Sequence, residues 1–282
     1  MGYSVFNAGY QQVPKNEKQS LVGQVFRSVA PSYDIMNDLM SVGMHRLWKD
    51  HLVKSLAPFP GMKHLDVAGG TGDIAFRVLE AIKVAERRIT HHERWPSSTE
   101  PKEGSAQHVT DRPPAGSVVV CDINESMLKE GEKKAVHRSI TPEEMQWIVG
   151  NAENLPFEDG SFDSYTIGFG IRNVTDRDAA LREAKRVLRP GGRFMCLEFS
   201  KVVVPGLQQL YDVYSFNVIP EIGRLVAGDA HSYQYLVESI RMFPGQQEFA
   251  RMIKDAGFTE VEWENLSTGI VAIHTGINPG TR

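Results

Sequence analysis

The strongest constraint on the fold of this chain is a run of glycines between an apolar stretch and an amphipathic stretch. The segment LDVAGGTGD, at residues 65 to 73, places Gly69, Gly70 and Gly72 between a strand-like HLDVAG and a helical DIAFRVLEAIKVA. Glycines let the backbone approach a ligand closely, and the first turn of a helix has free N–H groups. The pattern predicts a strand, a tight bend and a helix that together bind a nucleotide-like cofactor.

The alternation of strand and helix continues to about residue 200. Helices are expected at SMLKEGEKKAVHR and RDAALREAKRVL, and strands at SVVVCDI, MQWIVGNA, SYTIGFG and RFMCLEFS. Such alternation predicts a parallel sheet with helices on both faces. Pro190, Gly191 and Gly192 are expected to form a turn into the fifth strand that touches no ligand. Two final strands, TEVEWENL and GIVAIHTGI, predict an edge hairpin with one antiparallel strand.

Three segments depart from this alternation within one expected domain, residues 1 to 282. Residues 1 to 57 predict an N-terminal helical cover, and residues 207 to 245 predict an aromatic-rich helical cap within the domain. Residues 86 to 116 are rich in charge, Ser and Pro, which predicts a flexible surface insertion. Its histidines match no metal-ligand spacing, so no metal site is expected at His91, His92 and His108.

Charge and cysteine content exclude further classes of protein. The 282 residues carry a formal net charge of -4, so no global positive field attracts phosphates and nucleic acid is not an expected partner. Cys121 and Cys196 lie in apolar runs and predict core residues rather than a disulfide framework. No stretch approaches the roughly 20 apolar residues of a membrane span. The first residues show no targeting peptide, so either none is needed or one has been trimmed.

Two acidic residues beside the glycine bend discriminate between cofactors. From Gly70 the segment also reads G-x-G-x-x-A, the weak dinucleotide fingerprint. Asp66 ends the strand and Asp73 opens the helix, where a pyrophosphate requires a helix N-terminus free of negative charge. S-adenosylmethionine carries a sulfonium and an ammonium, which carboxylates stabilise, so we expect this cofactor rather than NAD. An ordinary acidic helix start is the alternative for Asp73, and both roles can coexist.

Groups suited to a nucleoside follow the next two strands. Asp122 can accept both hydroxyls of a ribose, although NAD enzymes place an acid at the same position. Asn151 and Ala152 can bind the edge of an adenine. The candidate cofactor-binding residues are therefore Asp66, Gly69, Gly70, Thr71, Gly72, Asp122, Ile123, Asn151 and Ala152.

Several of these motifs carry a family resemblance. LDVAGGTGD, CDIN, GNAENLPF and RVLRPGGRF resemble the class I S-adenosylmethionine methyltransferase fold, a Rossmann-like α/β sheet of seven strands whose last strand is antiparallel. YDIMNDLMSVGMHRLW, GFGIRNVTD and CLEFS are similar to the ubiquinone/menaquinone biosynthesis C-methyltransferase family, and the likeness runs from about Glu17 to Ile277. The insertion at residues 86 to 116 departs from compact bacterial forms and resembles the eukaryotic, mitochondrial branch.

The resemblance implies S-adenosylmethionine-dependent C-methylation of a 2-methoxy-6-polyprenyl-1,4-benzoquinol ring in ubiquinone biosynthesis. It further implies a mitochondrial location at the matrix face of the inner membrane, peripheral membrane contact, and other ubiquinone-biosynthesis proteins as partners in a complex. A homodimer stays open, and the cap could line a tunnel for the polyprenyl tail, form a dimer face or simply cover the sheet. The alternatives are methylation of demethylmenaquinol, a non-catalytic scaffold of the biosynthetic complex, and an NAD oxidoreductase.

The candidate catalytic residues are Arg172, Asn173 and Tyr33. A ring carbon is nucleophilic enough only when the neighbouring hydroxyl loses much of its proton, and Arg172 and Asn173 follow the fourth strand, where open α/β sheets bind ligands. The resemblance implies that Arg172 is a base acting through water. Because a guanidinium stays protonated, we expect it instead to lower the phenol pKa and hold the water or hydroxide that takes the proton. An ion pair with an acid such as Asp176 is the structural alternative.

The segment before the glycine bend offers weaker candidates. Tyr33 could close over the sulfonium with its aromatic face, or pack in the core. His45 could act as a base near neutral pH, but its spacing to Trp48 favours inward packing. Asp34 and Asn37 are expected to be caps or lid contacts.

Overall fold

The computed structural model describes residues 5–8, 11–14, 38, 41, 43–92, 115–206 and 230–280. The chain opens with an antiparallel hairpin of β1 (Val5–Ala8) and β2 (Gln11–Pro14), in which Phe6 pairs with Val13. The helical prediction for residues 1 to 57 is therefore wrong at its start, because aromatic and β-branched residues favour extended backbone there. Helix α1 (Met44–Leu56) does follow within that range.

A seven-stranded sheet forms the centre of the molecule. Its first five strands are parallel: β3 (Lys63–Val67), β4 (Ser117–Asp122), β5 (Met145–Val149), β6 (Phe162–Gly168) and β7 (Leu188–Phe199). The chain then ends in β8 (Thr259–Leu266) and β9 (Val271–Ile277). The order across the sheet is β5-β4-β3-β6-β7-β9-β8, and β9 is antiparallel to both neighbours. The predicted seven-stranded α/β sheet with an antiparallel last strand is confirmed.

Helices cover both faces of the sheet, as alternation along the strands requires. Among the residues that the structure describes, five helices follow α1: α2 (Asp73–His92), α3 (Glu125–His137), α4 (Arg177–Val187), α5 (Ala230–Met242) and α6 (Gln246–Asp255). Phe194 and Cys196 of β7 pack with α4 and α6, whereas Met195 and Leu197 pack with α1 and α2. Cys121 and Cys196 are free and fully buried, which confirms them as core residues.

The predicted boundary between the second helix and the insertion differs from the structure. Helix α2 runs to His92, beyond the expected end at Ala85, so residues 86 to 92 of the predicted insertion are helical. Charged residues such as Arg87, paired with Glu80 at 2.8 Å, continue a helix in solvent without an apolar face.

Among helices of the described segments, none is long and apolar enough to cross a membrane.

The RPGG segment lies inside β7 rather than forming a separate turn. Leu188 pairs with Phe162 and Arg193 with Ser164, so residues 189 to 192 bulge opposite one residue of β6. Gly191 has a left-handed φ of 78°, and its N–H donates to Asn278 O at 2.8 Å. The backbone remains bonded to the segment after β9, and the predicted turn is corrected to a bulge within the strand.

Candidate functional site

The glycine bend connects β3 to α2 through left-handed backbone. Gly70 and Gly72 have φ of 55° and 81°, and a Cβ at Gly72 would lie 2.6 Å from the Trp147 ring. Gly70 N donates to Asp122 Oδ2 at 2.9 Å, which joins the bend to the end of β4. The bend therefore needs glycine both for its conformation and for its packing.

Asp122 is held in place by backbone donors. Its Oδ1 accepts from Asn124 N at 2.8 Å, and its Oδ2 accepts from Gly70 N. Burial raises the pKa of this carboxyl, and these backbone bonds oppose the rise. Since each carboxylate oxygen has a second lone pair, Asp122 can still accept from two ligand hydroxyls.

A cavity opens at the carboxyl ends of β3 to β6, where open α/β sheets bind ligands. Of the predicted site residues, six line it: Gly70, Asp122, Ile123, Asn151, Ala152 and Asn173. Five other predicted residues do not line it: Asp66, Gly69, Thr71, Gly72 and Arg172. Tyr33 falls outside the described residues. The wall also includes residues that were not predicted, among them Asn124, Met127, Glu153, Phe169, Val174 and Thr175.

The loop after β5 contributes Asn151 and Glu153. Asn151 Oδ1 accepts from Glu153 N at 3.0 Å, so its amide NH₂ is the group left to read a ligand edge. Glu153 Oε1 in turn accepts from Thr175 N at 3.1 Å and Asp176 N at 3.2 Å. Glu153 therefore links the loop after β5 to the segment before α4, a role that its position in the sequence did not indicate.

Asp66 lies at the base of the bend in a buried polar chain. Its exposed fraction is 1%, its Oδ1 accepts from Thr166 Oγ1 at 2.7 Å, and its Oδ2 has no hydrogen-bond partner. Burial raises the pKa of Asp66 to about 7. A Cβ at Gly69 would lie 3.0 Å from the unpartnered oxygen, so only glycine lets the bend pass so close to it.

His64 and Ser164 extend this chain through the sheet. His64 Nε2 lies 3.0 Å from Thr166 Oγ1, and its Nδ1 lies 2.7 Å from Ser164 Oγ. Burial lowers the pKa of His64 to about 3, so the ring is neutral. Because Thr166 donates its only proton to Asp66, it must accept from His64 Nε2–H, and Nδ1 must then accept from Ser164. The hydrogen bonds thus run in one direction toward Asp66.

Asp73 points away from the bend, which corrects part of the argument about the cofactor. Its Oδ2 accepts from Lys49 Nζ of α1 at 2.7 Å, and its Oδ1 accepts from Arg77 Nε at 3.3 Å. Burial raises the pKa of Asp73, but the two cations outweigh it and the net pKa is lowered. A pyrophosphate would therefore not meet a free carboxylate from Asp73.

Arg172 sits on a single 3-10 turn, Ile171–Asn173, after β6. Only 5% exposed, it places Nη1 3.0 Å from Glu198 Oε1 and also donates from Nη1 to Phe169 O. Asp176 instead caps α4 by accepting from Ala179 N at 2.9 Å. The predicted alternative of an ion pair is therefore confirmed with a different acid from the one suggested.

Glu198 is a buried carboxylate that sequence reasoning missed. It is 1% exposed, and its Oε1 also accepts from Phe199 N at 2.9 Å. Burial raises its pKa, and Arg172 opposes the rise. The signal was present in CLEFS, where one charged residue interrupts an apolar strand.

Asn173 faces the cavity and contacts the cap helix. Tyr235 of α5 donates its hydroxyl to Asn173 Oδ1 at 3.2 Å, and burial raises the pKa of Tyr235 to about 12. Arg177 lies with its guanidinium carbon 5.5 Å from the Phe243 ring centroid, and its Nε has no partner. Tyr235 was predicted only as part of an aromatic segment, and Arg177 was not predicted at all.

His45 does not belong to this cavity. Its Nε2 lies 2.8 Å from Asp38 Oδ1, and burial is the main reason that its pKa is lowered. Trp48 is buried and donates from Nε1 to Ser267 Oγ at 2.9 Å, in agreement with inward packing. In the described parts of the chain, no three His, Cys, Asp or Glu side chains are grouped as metal ligands.

The residues at the cavity fit S-adenosylmethionine. Asp122, Asn151 and Ala152 offer acceptors and donors for a nucleoside, and the unpartnered Asp66 Oδ2 at the bend suits a cation. A buried acceptor without a partner is costly, and a cationic ligand group that reached it would relieve that cost.

Comparison with known proteins gives the family. A family model described as the ubiE/COQ5 methyltransferase family matches residues 12–278. Similar proteins include the mitochondrial 2-methoxy-6-polyprenyl-1,4-benzoquinol methylase of Oryza sativa subsp. japonica, 57% identical over 95% of this chain and 87% of that protein. The enzyme of the same name from Rattus norvegicus is 54% identical over 95% of this chain and 83% of that protein.

Solved structures give the fold. An S-adenosylmethionine-dependent methyltransferase from Aquifex aeolicus matches with a TM-score of 0.51 and 15% identity, over 81% of this chain and 88% of that chain. Another from Thermotoga maritima matches with a TM-score of 0.55 and 17% identity, over 90% of this chain and 99% of that chain. At such identities the likeness shows a shared fold alone.

Proposed function

The chain belongs to the ubiE/COQ5 methyltransferase family and is an S-adenosylmethionine-dependent methyltransferase, and on this premise we propose that it methylates a ring carbon of a 2-methoxy-6-polyprenyl-1,4-benzoquinol in ubiquinone biosynthesis. One observation carries the proposal: relatives that share this substrate in their names align with 95% of the chain. The family assignment overturns the alternative of an NAD oxidoreductase.

Four sets of groups would hold the methyl donor. Asp122 would accept the ribose hydroxyls, Asn151 and Ala152 would contact the adenine edge, and Gly70 would let the backbone come close. Asp66, buried at the base of the bend, would favour the positive end of the donor electrostatically. When bound, S-adenosylmethionine supplies an electrophilic methyl group, so these residues need only bind and orient it.

The acceptor would bind beside the turn that carries Arg172 and Asn173. Asn173 lines the cavity, and Tyr235 fixes its amide by donating to Oδ1. A phenol is a poor carbon nucleophile until its proton leaves, and a cation beside the oxygen favours that loss. Arg172 would supply that charge once its ion pair with Glu198 opens.

The setting of the reaction is part of the proposal. The relatives are named as mitochondrial, and we extend the location to the matrix face of the inner membrane. A polyprenyl tail partitions into a bilayer, which favours peripheral contact with the membrane. Leu47 of α1, 60% exposed, offers one apolar contact. A complex with other ubiquinone-biosynthesis proteins and a homodimer stay proposals of the same kind, as do the single-domain organisation and the role of the cap.

A labelled methyl group tests the proposal. The protein is incubated with S-adenosylmethionine carrying a ¹³C methyl and with the benzoquinol that lacks the ring methyl, and the product is examined by NMR. We expect the label on a ring carbon. Label on a ring oxygen would contradict C-methylation. In a parallel incubation with demethylmenaquinol, transfer to that quinol alone would replace the proposed substrate, and no transfer to either quinol would support a scaffold.

A further inference from the structure

In the structure, Arg172 and Glu198 form an ion pair in which each charge neutralises the other; this arrangement is called the closed pair. Arg172 Nη1 lies 3.0 Å from Glu198 Oε1, and both side chains are almost fully buried. A phenol placed beside a neutralised guanidinium gains little help in losing its proton, because the carboxylate already screens the cation. The pair must therefore separate, or Glu198 must lose its charge, before Arg172 can stabilise a phenolate.

We propose that Glu198 accepts the proton of the substrate hydroxyl, and that Arg172 then exchanges Glu198 for the phenolate oxygen. This inference rests on the proposed function, since it assigns the proton acceptor of that reaction. Phe169, Gly170 and Asn173, which flank Arg172 in sequence, all line the cavity. Arg172 and Glu198 do not line it themselves, so the exchange requires the Arg172 side chain to move toward the acceptor.

The step balances in protons and electrons. The hydroxyl O–H bond breaks, its proton ends on a Glu198 oxygen, and its electron pair stays on the ring oxygen and reaches the ortho carbon. That carbon forms the bond to the methyl group, while the electrons of the former carbon–sulfur bond stay on sulfur. Glu198 then returns its proton to the ring oxygen and the ortho carbon loses its own proton to solvent. One proton leaves per methyl group transferred.

The surroundings of Glu198 favour this exchange. Burial raises the pKa of the carboxyl and Arg172 opposes the rise, so the carboxyl takes a proton more readily when Arg172 withdraws. Arg177 of α4 interacts with the charge of Glu198, and Cys196 lies two residues before Glu198 on β7. Arg172 Nε has no partner in the closed pair, so it keeps a donor for a second position.

A purely structural role is the competing explanation. Arg172 also donates to Phe169 O, and Phe169 has a left-handed φ of 56° that is strained for a non-glycine residue. The pair could exist only to hold that cavity wall. A structural role needs the hydrogen bonds of residue 198 but not its ability to take a proton, and this difference can be measured.

The test compares Glu198→Gln with the wild-type protein by single-turnover C-methylation. Glutamine keeps the size and an oxygen acceptor for Arg172 but does not accept the proton. We expect the transfer rate to fall by about 100-fold or more. Affinity for S-adenosylmethionine, measured by calorimetry, should stay within about threefold of wild type. Above about pH 8 the variant should recover as hydroxide replaces the lost acceptor.

Two controls separate the outcomes. Glu183→Gln removes a carboxylate that pairs with Arg186 at 2.7 Å away from the cavity, and it should leave the transfer rate unchanged. Glu198→Asp keeps a carboxylate and should recover part of the rate. A Glu198→Gln rate close to wild type overturns the inference alone. Absence of any C-methylated product from the wild-type protein overturns the proposed function, and the inference with it.

A wild-type measurement covers the case in which the glutamine variant fails to fold. Infrared difference spectra are recorded when the quinol joins the protein and an unreactive cationic analogue of the methyl donor. We expect a protonated carboxylic acid band that shifts in D₂O and is altered in Glu198→Asp. If no such band forms, Glu198 does not take the proton.

Discussion

The imidazole Nε2 of His64 lies 3.0 Å from Thr166 Oγ1, inside the sheet and fully buried. This contact belongs to a series of hydrogen bonds between β3 and β6 that ends at Asp66 Oδ1. Asp66 Oδ2 has no hydrogen-bond partner. The protonation of one buried carboxylate at the glycine bend is therefore controlled from within the core. Lys49 and Asp122 also act on it, in opposite directions.

Binding of the methyl donor should strengthen as pH rises through about 7. Burial raises the pKa of Asp66 to about 7, so the carboxyl is largely neutral at lower pH and charged above it. A cationic ligand binds the charged form, and below that pKa the affinity should fall by up to about tenfold per pH unit. Calorimetry of S-adenosylmethionine at several pH values measures this.

Asp66→Asn is the matched control, since it removes the titration but keeps the size. Its affinity should be low and independent of pH over the same range. Asp122 keeps its carboxylate in this variant, so a pH dependence that persists would assign the effect to Asp122 instead.

Thr166→Val should weaken the fold and shift the same titration. It leaves Asp66 Oδ1 and His64 Nε2 without their shared partner, which should lower the free energy of unfolding by about 1–3 kcal/mol. With one stabilising bond to the carboxylate lost, the pKa of Asp66 should rise further. Urea unfolding and the pH profile of donor affinity report the two effects. Thr259→Val, on an exposed edge, is the control, and equal behaviour of the two variants would contradict the account.

Lys49→Met should destabilise the protein in a way that depends on pH. Lys49 and Arg77 hold the pKa of Asp73 below its usual value, so this contribution is present at neutral pH and lost as pH falls through that lowered pKa. We expect about 1–3 kcal/mol of lost stability at pH 7, shrinking toward acid pH, from urea unfolding.

Arg46→Met tests whether any lost ion pair would do the same. Arg46 pairs with Asp38 at 2.5 Å but is 60% exposed, so its removal should cost less than about 1 kcal/mol. Equal losses from the two substitutions would show that burial of Lys49 is unimportant.

Tyr235→Phe should affect the acceptor and spare the donor. The substitution removes only the hydroxyl that donates to Asn173 Oδ1 at 3.2 Å. We expect a several-fold higher KM for the quinol, about 1 kcal/mol of lost binding, with unchanged affinity for S-adenosylmethionine. Steady-state kinetics measure the KM for the quinol, and calorimetry measures the affinity for S-adenosylmethionine. A lower affinity for S-adenosylmethionine with an unchanged quinol KM would place Tyr235 on the donor side of the cavity.

Sequence patterns predicted the sheet because apolar periodicity and glycine positions are local signals. Two strand-like runs predicted the edge hairpin of β8 and β9, and the apolar neighbours of the two cysteines predicted that both are buried. The bulge at residues 189 to 192 was read as a turn, since Pro and Gly mark both and only pairing with β6 and Asn278 separates them. Asp122, predicted to bind a ribose, lies in the wall of the cavity, and its role in binding stays a prediction.

Partners of charged side chains were the part that sequence could not supply. Asp73 lies beside the glycines in the chain, yet Lys49 on another helix determines where it points. Arg172 was identified from its place after a strand, but its partner Glu198 comes from a different strand 26 residues later. Long-range pairs of this kind depend on how distant helices, turns and strands pack together, which no local pattern encodes.

Titration of S-adenosylmethionine into wild-type protein and into Asp122→Asn tests the central claim most directly. The account predicts saturable binding to the wild type and at least about tenfold weaker binding to the variant, because hydrogen bonds to a charged group are lost. NADH titrated under the same conditions should show no binding. Equal affinity of the donor for both proteins, or saturation by NADH in its place, would contradict the account.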